Sequence, residues 1–214
     1  MIKKILIVLV LLGALLVLAD FIIPLVCTNS NPAEKHFLKA VNLSEKGKYE
    51  EAEKEFREAI RIKPKEADYH LIFGMTLLMQ KNYEEAENTL REAIRLEPDV
   101  ALAHCYLADV LCKKGDEDEA EKEYREAIRL KTDDARAYLY VGLRLTRQEK
   151  FGEAENLLRE AHLLDPKNPT ISEVLALSLE VQKKHEEARK YWEIALKQES
   201  DSEQIQMIKQ HLAK

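Results

Sequence analysis

The feature that most constrains this chain is a phrase that returns every 34 residues. Residues 57–61, 91–95 and 125–129 read REAIR, and residues 159–163 read REAHL. Aligned in blocks of that length, the chain places small residues in three common columns and a large residue in a fourth. The small columns hold Ala40, Gly74, Ala108, Gly142 and Ala176; Ala52, Ala86, Ala120, Ala154 and Ala188; and Ala59, Ala93, Ala127, Ala161 and Ala195. The large column holds Phe56, Leu90, Tyr124, Leu158 and Trp192. Such periodicity predicts stacked units that bury their apolar faces against one another.

Each block is predicted to form two antiparallel helices. In the second block ADYHLIFGMTLLMQ is the first helix, Lys81 and Asn82 form the turn, and YEEAENTLREAIRLE is the second helix. Pro98 cannot continue that helix and marks its end. The predicted blocks are 33–66, 67–100, 101–134, 135–168 and 169–202. Residues 203–214 place Ile205, Ile208 and Leu212 at helical spacing, which predicts a capping helix over the last pair; an independent recognition helix is the alternative.

The pattern resembles the tetratricopeptide repeat (TPR) family. The resemblance rests on the four columns, on Leu77, Leu111 and Leu145, and on the turn aromatics Tyr49, Tyr83 and Phe151. It implies an all-α fold, a right-handed superhelical array of about five helix pairs. The fifth block departs most, with His185 at the aromatic turn position and no closing proline.

The N-terminus has a different composition from the repeats. Residues 1–4 form a flank with Lys3 and Lys4, residues 5–26 are almost entirely apolar, and residues 27–32 read as a linker. A stretch of 22 residues is long enough to cross a bilayer core about 30 Å thick. It predicts one transmembrane anchor, with a cleaved export signal and a buried soluble helix as alternatives. Lys3 and Lys4 favour a cytoplasmic N-terminus, with the repeats on the far side.

Composition and motifs argue against catalysis and nucleic-acid binding. The net charge is −6, so there is no basic footprint for nucleic acid. No phosphate loop, nucleophile elbow or zinc-hydrolase motif is present, and we expect no enzyme activity, no cofactor and no metal. His36, His70 and His104 recur at 34 residues, but equivalent positions on helices packed about 8–10 Å apart cannot converge on one zinc ion. They are interpreted as packing residues, as are Cys105 and Cys112, which lie too far apart along one helix to form a disulfide.

In the family that the chain resembles, first-helix residues line a concave face that usually binds a partner. The matching positions predict a partner-binding groove formed by Phe37, Val41, Leu71, Met75, Leu78, Met79, Leu102, Cys105, Asp109, Cys112, Lys113, Arg136, Leu139 and Leu143. The fifth block offers Thr170, Glu173, Leu177, Glu180 and Val181 in the same positions. Apolar residues and methionines suit an amphipathic helix or an apolar peptide. The alternative is that neighbouring helices shade these side chains. Where a clamp for an acidic C-terminus needs Lys and Asn, this chain has Phe37, Leu71, Val41 and Met75, which argues against that function.

The sequence therefore predicts a membrane-tethered, non-catalytic scaffold that binds a protein or peptide in its groove. Two other arrangements are open: an exported or periplasmic assembly factor released by signal cleavage, and an anchored receptor whose repeats face the cytosol.

Overall fold

The computed structural model describes residues 31–213, which contain eleven helices and no strand. The all-α prediction is therefore confirmed for this part of the chain. Contacts between Cα atoms divide it into two compact units, one ending at Pro98 and the other beginning at Asp99. The predicted transmembrane segment, residues 5–26, lies outside the described residues. Among residues 31–213, no helix combines the length and apolarity that crossing a membrane requires.

The first unit contains two helix pairs. Its helices are α1 (Pro32–Glu45), α2 (Tyr49–Ile62), α3 (Ala67–Met79) and α4 (Tyr83–Leu96). Helix α1 begins one residue before the first predicted block because Pro32 suits a first helical position and the Asn31 side chain accepts a hydrogen bond from the backbone N–H of Ala33 at 3.0 Å. Helices α1 and α2 pack together, as do α3 and α4, and α2 also packs on α3.

The second unit contains three helix pairs and a final single helix. Its helices are α5 (Ala101–Lys114), α6 (Glu117–Arg129), α7 (Ala135–Arg147), α8 (Phe151–Leu164), α9 (Pro169–Val181), α10 (His185–Gln198) and α11 (Ser202–Leu212). Helix α11 packs against α10 through Ile208, which is fully buried in a cluster with Ala176, Trp192 and Ala195. The Asp201 side chain caps its N-terminus by accepting from the backbone N–H groups of Glu203 and Gln204.

The turn inside every pair has the same hydrogen-bonding pattern. One residue of each turn adopts a left-handed conformation, with φ between 61° and 90°. In the first pair the N–H of Gly47 donates to the carbonyl of Ser44 and the N–H of Lys48 to that of Leu43, both at 2.9 Å. These two bonds define a Schellman motif. The left-handed positions are 34 residues apart: Gly47, Lys81, Gly115, Glu149 and Lys183.

The small and large columns meet inside each pair. A Cβ built on Gly74 would lie 2.6 Å from Cγ of Leu90, and one on Gly142 would lie 2.8 Å from Cγ of Leu158. Glycine is therefore required where leucine faces it across the pair. The other three pairs combine alanine with an aromatic residue at these positions, and Ala176 packs with Trp192 in the core of the last pair.

The REAIR phrase lies on the outer side of the second helices. Its alanine is buried, whereas its first arginine pairs with a glutamate four residues earlier, as in Arg57–Glu53 and Arg159–Glu155. Arg57 and Arg159 also reach a glutamate on the next second helix, Glu85 and Glu187 respectively. The second arginine pairs three residues back, as in Arg61–Glu58. The phrase thus repeats a packing and ion-pairing unit.

Candidate functional site

In the first unit, the predicted groove residues divide into a buried and an exposed set. Phe37, Val41 and Leu71 are buried, and the Phe37 ring stacks on Tyr69 with centroids 4.6 Å apart. These side chains therefore pack within the unit itself. Met75 and Leu78 are half-buried, and Met79, at the end of α3, is 61% exposed. The accessible apolar surface of the first helices of this unit is concentrated at the C-terminal half of α3.

On α5, the first helix of the second unit, the predicted residues again differ in their exposure to solvent. Cys105 is fully buried with its Sγ atom 3.6 Å from Oγ1 of Thr132, and burial raises the pKa of its thiol to about 12. Leu102 and Cys112 are half-buried, and Lys113 is exposed. Burial also raises the pKa of the Cys112 thiol. Both thiols therefore stay protonated at neutral pH, which fits the interpretation that they pack as small apolar side chains.

Asp109 and Arg136 form an ion pair between α5 and α7. Tyr124 donates its hydroxyl hydrogen to Asp109, and the Arg136 guanidinium donates to both Asp109 and Asp134. The guanidinium also lies over the ring of Tyr106, 5.0 Å from its centroid. Burial raises the pKa of Asp109, although the charge of Arg136 opposes that shift. These contacts fix the Arg136 side chain, which still exposes 47% of its surface.

Helices α7 and α9 lie beside each other and present a mixed patch. Six residues on the same faces of the two helices form this patch, which we call the α7–α9 patch: Leu139, Leu143, Arg147, Glu173, Leu177 and Val181. Leu139, Leu143 and Glu173 are half-buried, Arg147 is exposed, and Leu177 and Val181 are 36% and 56% exposed. The last two are the most exposed large apolar side chains on the first helices of this unit. They are the fifth-block equivalents of predicted groove positions, so the 34-residue register contains the signal that locates them.

A cleft of about 580 Å³ opens where α9, α10 and α11 meet. Its wall contains a hydrogen-bonded group centred on Glu180, which accepts from Nε1 of Trp192 at 2.9 Å and from the ring of His211 at 2.9 Å. The rings of Trp192 and His211 stack with centroids 4.4 Å apart. Val181 and Leu212 supply apolar lining, and the charged or polar rim contains His185, Glu186 and Arg189. Glu180 and Val181 stand at groove positions of the fifth block, but the 34-residue register does not predict the rest of this cleft, because α11 does not belong to a complete repeat.

Each of the three histidines spaced 34 residues apart forms its own hydrogen bond to a nearby residue. Nδ1 of His36 lies 2.6 Å from Glu55, and Nδ1 of His104 lies 2.6 Å from Glu123, so both rings tie a first helix to its second helix. The ring of His70 bonds instead to the carbonyl oxygen of Pro64 at 2.9 Å. Among residues 31–213, no group of three or more His, Cys, Asp or Glu side chains is placed to hold a metal ion.

The accessible apolar surface on the first helices and the ion pairs on the second helices suit recognition of another macromolecule. Exposed methionine and leucine offer adaptable apolar contact, and the fixed ion pairs keep the opposite side polar. Shading by neighbouring helices is real for Phe37, Val41, Leu71 and Cys105, whereas Met79 and Lys113 remain exposed.

Comparison with known proteins identifies the repeat. A family model described as the Cilia and flagella-associated protein 70 C-terminal domain matches residues 33–212. No curated protein matches the chain.

Among solved structures, PilF of Pseudomonas aeruginosa is similar with a TM-score of 0.71 and 18% identity, over 85% of this chain and 83% of that one. YrrB, described as a TPR protein with an unusual peptide-binding site, has a TM-score of 0.66 and 19% identity over 90% and 99% of the two chains. MamA of Desulfovibrio magneticus has a TM-score of 0.65 and 20% identity over 79% and 96%. At these identities the likeness shows the fold, a TPR-type helical repeat.

Proposed function

Because the chain belongs to the family of the Cilia and flagella-associated protein 70 C-terminal domain, a TPR family, we propose that it is a non-catalytic scaffold that binds a protein or peptide along its first helices. The TPR-like fold is typical of protein–protein interaction scaffolds, and YrrB is described as having a peptide-binding site. The observation that carries the proposal is the pair of accessible apolar surfaces, at Met79 in the first unit and at Leu177 and Val181 in the second. Apolar side chains exposed on regularly packed helices favour an interaction site.

The test is crosslinked capture from membranes of cells that produce the full chain, followed by identification of the captured proteins. Leu71 is buried, so a charge there would unfold the first unit and could not report on binding. Met79→Glu and Leu177→Glu change exposed positions instead. Both variants should lose captured partners, because each places a charge within the apolar contact, while circular dichroism stays helical.

Leu163→Glu is the matched control for these variants. Leu163 is 73% exposed but lies at the end of the second helix α8, away from the first helices. It should retain the partners of the unmodified chain. Identical partners for Met79→Glu, Leu177→Glu and the unmodified chain would refute binding along the first helices.

We further propose that residues 5–26 tether this scaffold to a membrane, with the repeats on the side opposite the cytoplasmic N-terminus. The support is the 22-residue apolar stretch and the two lysines that precede it. Carbonate-resistant membrane association, an intact N-terminus by mass spectrometry, and protection of the repeats from protease added on the cytoplasmic side are expected. A mature chain that begins after residue 26 would indicate an exported factor instead. Digestion from the cytoplasmic side would indicate an anchored receptor facing the cytosol.

A further inference from the structure

The α7–α9 patch is a small grid, because corresponding residues of the two helices are 34 positions apart. Leu139, Leu143 and Arg147 follow one another at intervals of four along α7, and Glu173, Leu177 and Val181 do the same along α9. Residues four apart lie on one helix face. The two helices are in contact, and the 34-residue register matches Leu139 with Glu173, Leu143 with Leu177, and Arg147 with Val181 as the rows of the grid. The middle row of the grid is apolar, and each outer row contains one charged residue.

Within residues 31–213, the two charged side chains of the grid make no ion pair. Arg147 is exposed, and Oε1 of Glu173 is buried without a hydrogen-bond partner among these residues. Burial, and secondarily the charge of Glu199, raises the pKa of Glu173. A buried carboxylate oxygen without a donor is costly and is readily satisfied by an incoming donor.

The remaining charged side chains close to the grid are already engaged. Arg136 binds Asp109 and Asp134, Arg144 binds three acidic side chains of α6, and Glu180 binds Trp192 and His211. Glu199, whose charge acts on Glu173, accepts hydrogen bonds from the backbone N–H groups of Ser200 and Asp201. The charges that a partner can meet on this surface are therefore Arg147 at the C-terminal end of α7 and Glu173 near the N-terminal end of α9.

We propose that the α7–α9 patch binds an amphipathic helix of about three turns that runs antiparallel to α7 and α9, with an acidic residue at its N-terminal end on Arg147, apolar residues on Leu143 and Leu177, and a basic residue at its C-terminal end on Glu173. This inference rests on the proposed function and specifies the partner that one of its two surfaces takes.

The length of the partner helix follows from the grid. Arg147 is eight residues beyond the row of Glu173, which is about 12 Å along the helix axis, and neighbouring helices are about 8–10 Å apart. The diagonal is therefore about 15 Å. Residues i and i+11 of a helix lie on one face and about 16 Å apart, with i+4 and i+7 between them on the same stripe. An acidic residue at i, apolar residues at i+4 and i+7, and a basic residue at i+11 match the grid.

The direction follows from the signs of the charges. An acidic residue at the N-terminus and a basic residue at the C-terminus stabilise a helix through its dipole. A partner with that favourable arrangement can meet Arg147 with its acidic end and Glu173 with its basic end only when it runs opposite to α7 and α9. Antiparallel alignment also suits the dipoles of the three helices.

The experiment uses two synthetic peptides of 16 residues and identical composition, each held helical by the same hydrocarbon staple on the face away from the contact. The first peptide carries Glu at position 3, Leu at positions 7 and 10, and Lys at position 14. The second exchanges the Glu and the Lys. Binding of both to the full chain in detergent is measured by fluorescence anisotropy at low and at high salt.

The first peptide should bind about tenfold more tightly than the second at low salt, because two favourable ion pairs replace two repulsions. The double variant Arg147→Glu/Glu173→Lys should reverse that preference, and Glu173→Gln, which keeps the shape of the side chain, should reduce it. Added salt should bring the two affinities together.

Equal affinity of the two peptides for the unmodified chain, or no binding of either, would overturn the inference. Either result leaves the proposed function to its own test, because loss of captured partners with Leu177→Glu reports on binding and not on the arrangement of charges. If Met79→Glu and Leu177→Glu both keep every captured partner while the peptides discriminate as expected, the proposed function fails and the recognition chemistry of the patch stands.

Discussion

The second helices α2, α4, α6 and α10 each bury three residues and α8 buries four. The first helices α3, α5 and α9 bury nine, seven and seven residues, α1 buries five and α7 four. A second helix therefore needs only two alanines and one large residue to keep its place, and the rest of its surface can carry the ion-paired REAIR phrase, which is complete in the first three repeats. A first helix is packed on more sides. The few positions that it leaves accessible are free of that packing requirement, and those positions differ from pair to pair.

The largest expected effect comes from disturbing the packing of a small first-helix residue against the large residue of its second helix. Gly142→Ala should lower the free energy of unfolding by about 1–2 kcal/mol, because overpacking costs about 1–3 kcal/mol and alanine returns up to about 1 kcal/mol of helix propensity. The added Cβ would lie 2.8 Å from Cγ and Cδ2 of Leu158. Urea unfolding followed through the fluorescence of Trp192, the single tryptophan, measures it.

Gly152→Ala is the matched control, because its Cβ would meet no atom within 4 Å. This change should be neutral or stabilising. The double variant Gly142→Ala/Leu158→Phe should recover part of the loss, since the pairs with alanine at this position have an aromatic residue opposite. Equal stability of Gly142→Ala and Gly152→Ala would contradict the size-matching account.

An intermediate effect is expected from the hydrogen bonds that the second helix α8 makes through Glu155. Burial alone would raise the pKa of Glu155, but hydrogen bonds from Lys184, Arg159 and Gln182 hold it below its ordinary value of 4.5. A carboxylate with a depressed folded-state pKa stabilises the fold above its ordinary value and loses that contribution as the pH falls through the folded-state pKa. Glu155→Gln should therefore cost about 1 kcal/mol at pH 7 and progressively less below pH 4.5.

Thermal unfolding at a series of pH values measures how the stability difference between Glu155→Gln and the unmodified chain decreases as the pH falls. Glu153→Gln, an exposed change on the same helix, should follow the unmodified chain at every pH. A constant difference between Glu155→Gln and the unmodified chain from pH 7 to pH 3 would show that the charge of Glu155 does not stabilise the fold.

The smallest expected effect concerns the left-handed residue of the turn that joins the first and second helices of a pair. Lys183 has φ of 62° in the position that Gly47 and Gly115 occupy in other pairs. Lys183→Gly should stabilise the second unit by up to about 1 kcal/mol, because glycine removes left-handed strain at some entropic cost. Gly115→Ala should change stability in the opposite direction. Chemical denaturation checks both signs, and destabilisation by Lys183→Gly would disprove the account.

The sequence predicts the helix pairs and their core well because both depend on local periodicity. Ala93, Leu90 and the other residues of the four columns are buried. The register predicts this, because each contact inside a helix pair combines a small and a large position. The accessibility of individual first-helix positions depends on the side chains of neighbouring helices, which periodicity does not specify. Phe37 and Cys105 are therefore buried while Met79 is exposed, although all three lie in predicted groove positions. The register gives Glu180 and Val181 as groove positions but does not predict the cleft beside α11, since that cleft depends on how a single helix ends the second unit.

The pairing of Gly74 with Leu90 and of Gly142 with Leu158 has a consequence for how such a chain can lengthen or be rebuilt. A first helix with alanine at this position, if joined to a second helix carrying leucine, would place a methyl group where the leucine branches. Recombination within the turn of a pair that joins an alanine first helix to a leucine second helix should therefore be selected against. Viable crossover points lie between pairs, near Pro64, Thr132 and Pro166, where a complete pair is inherited as one module.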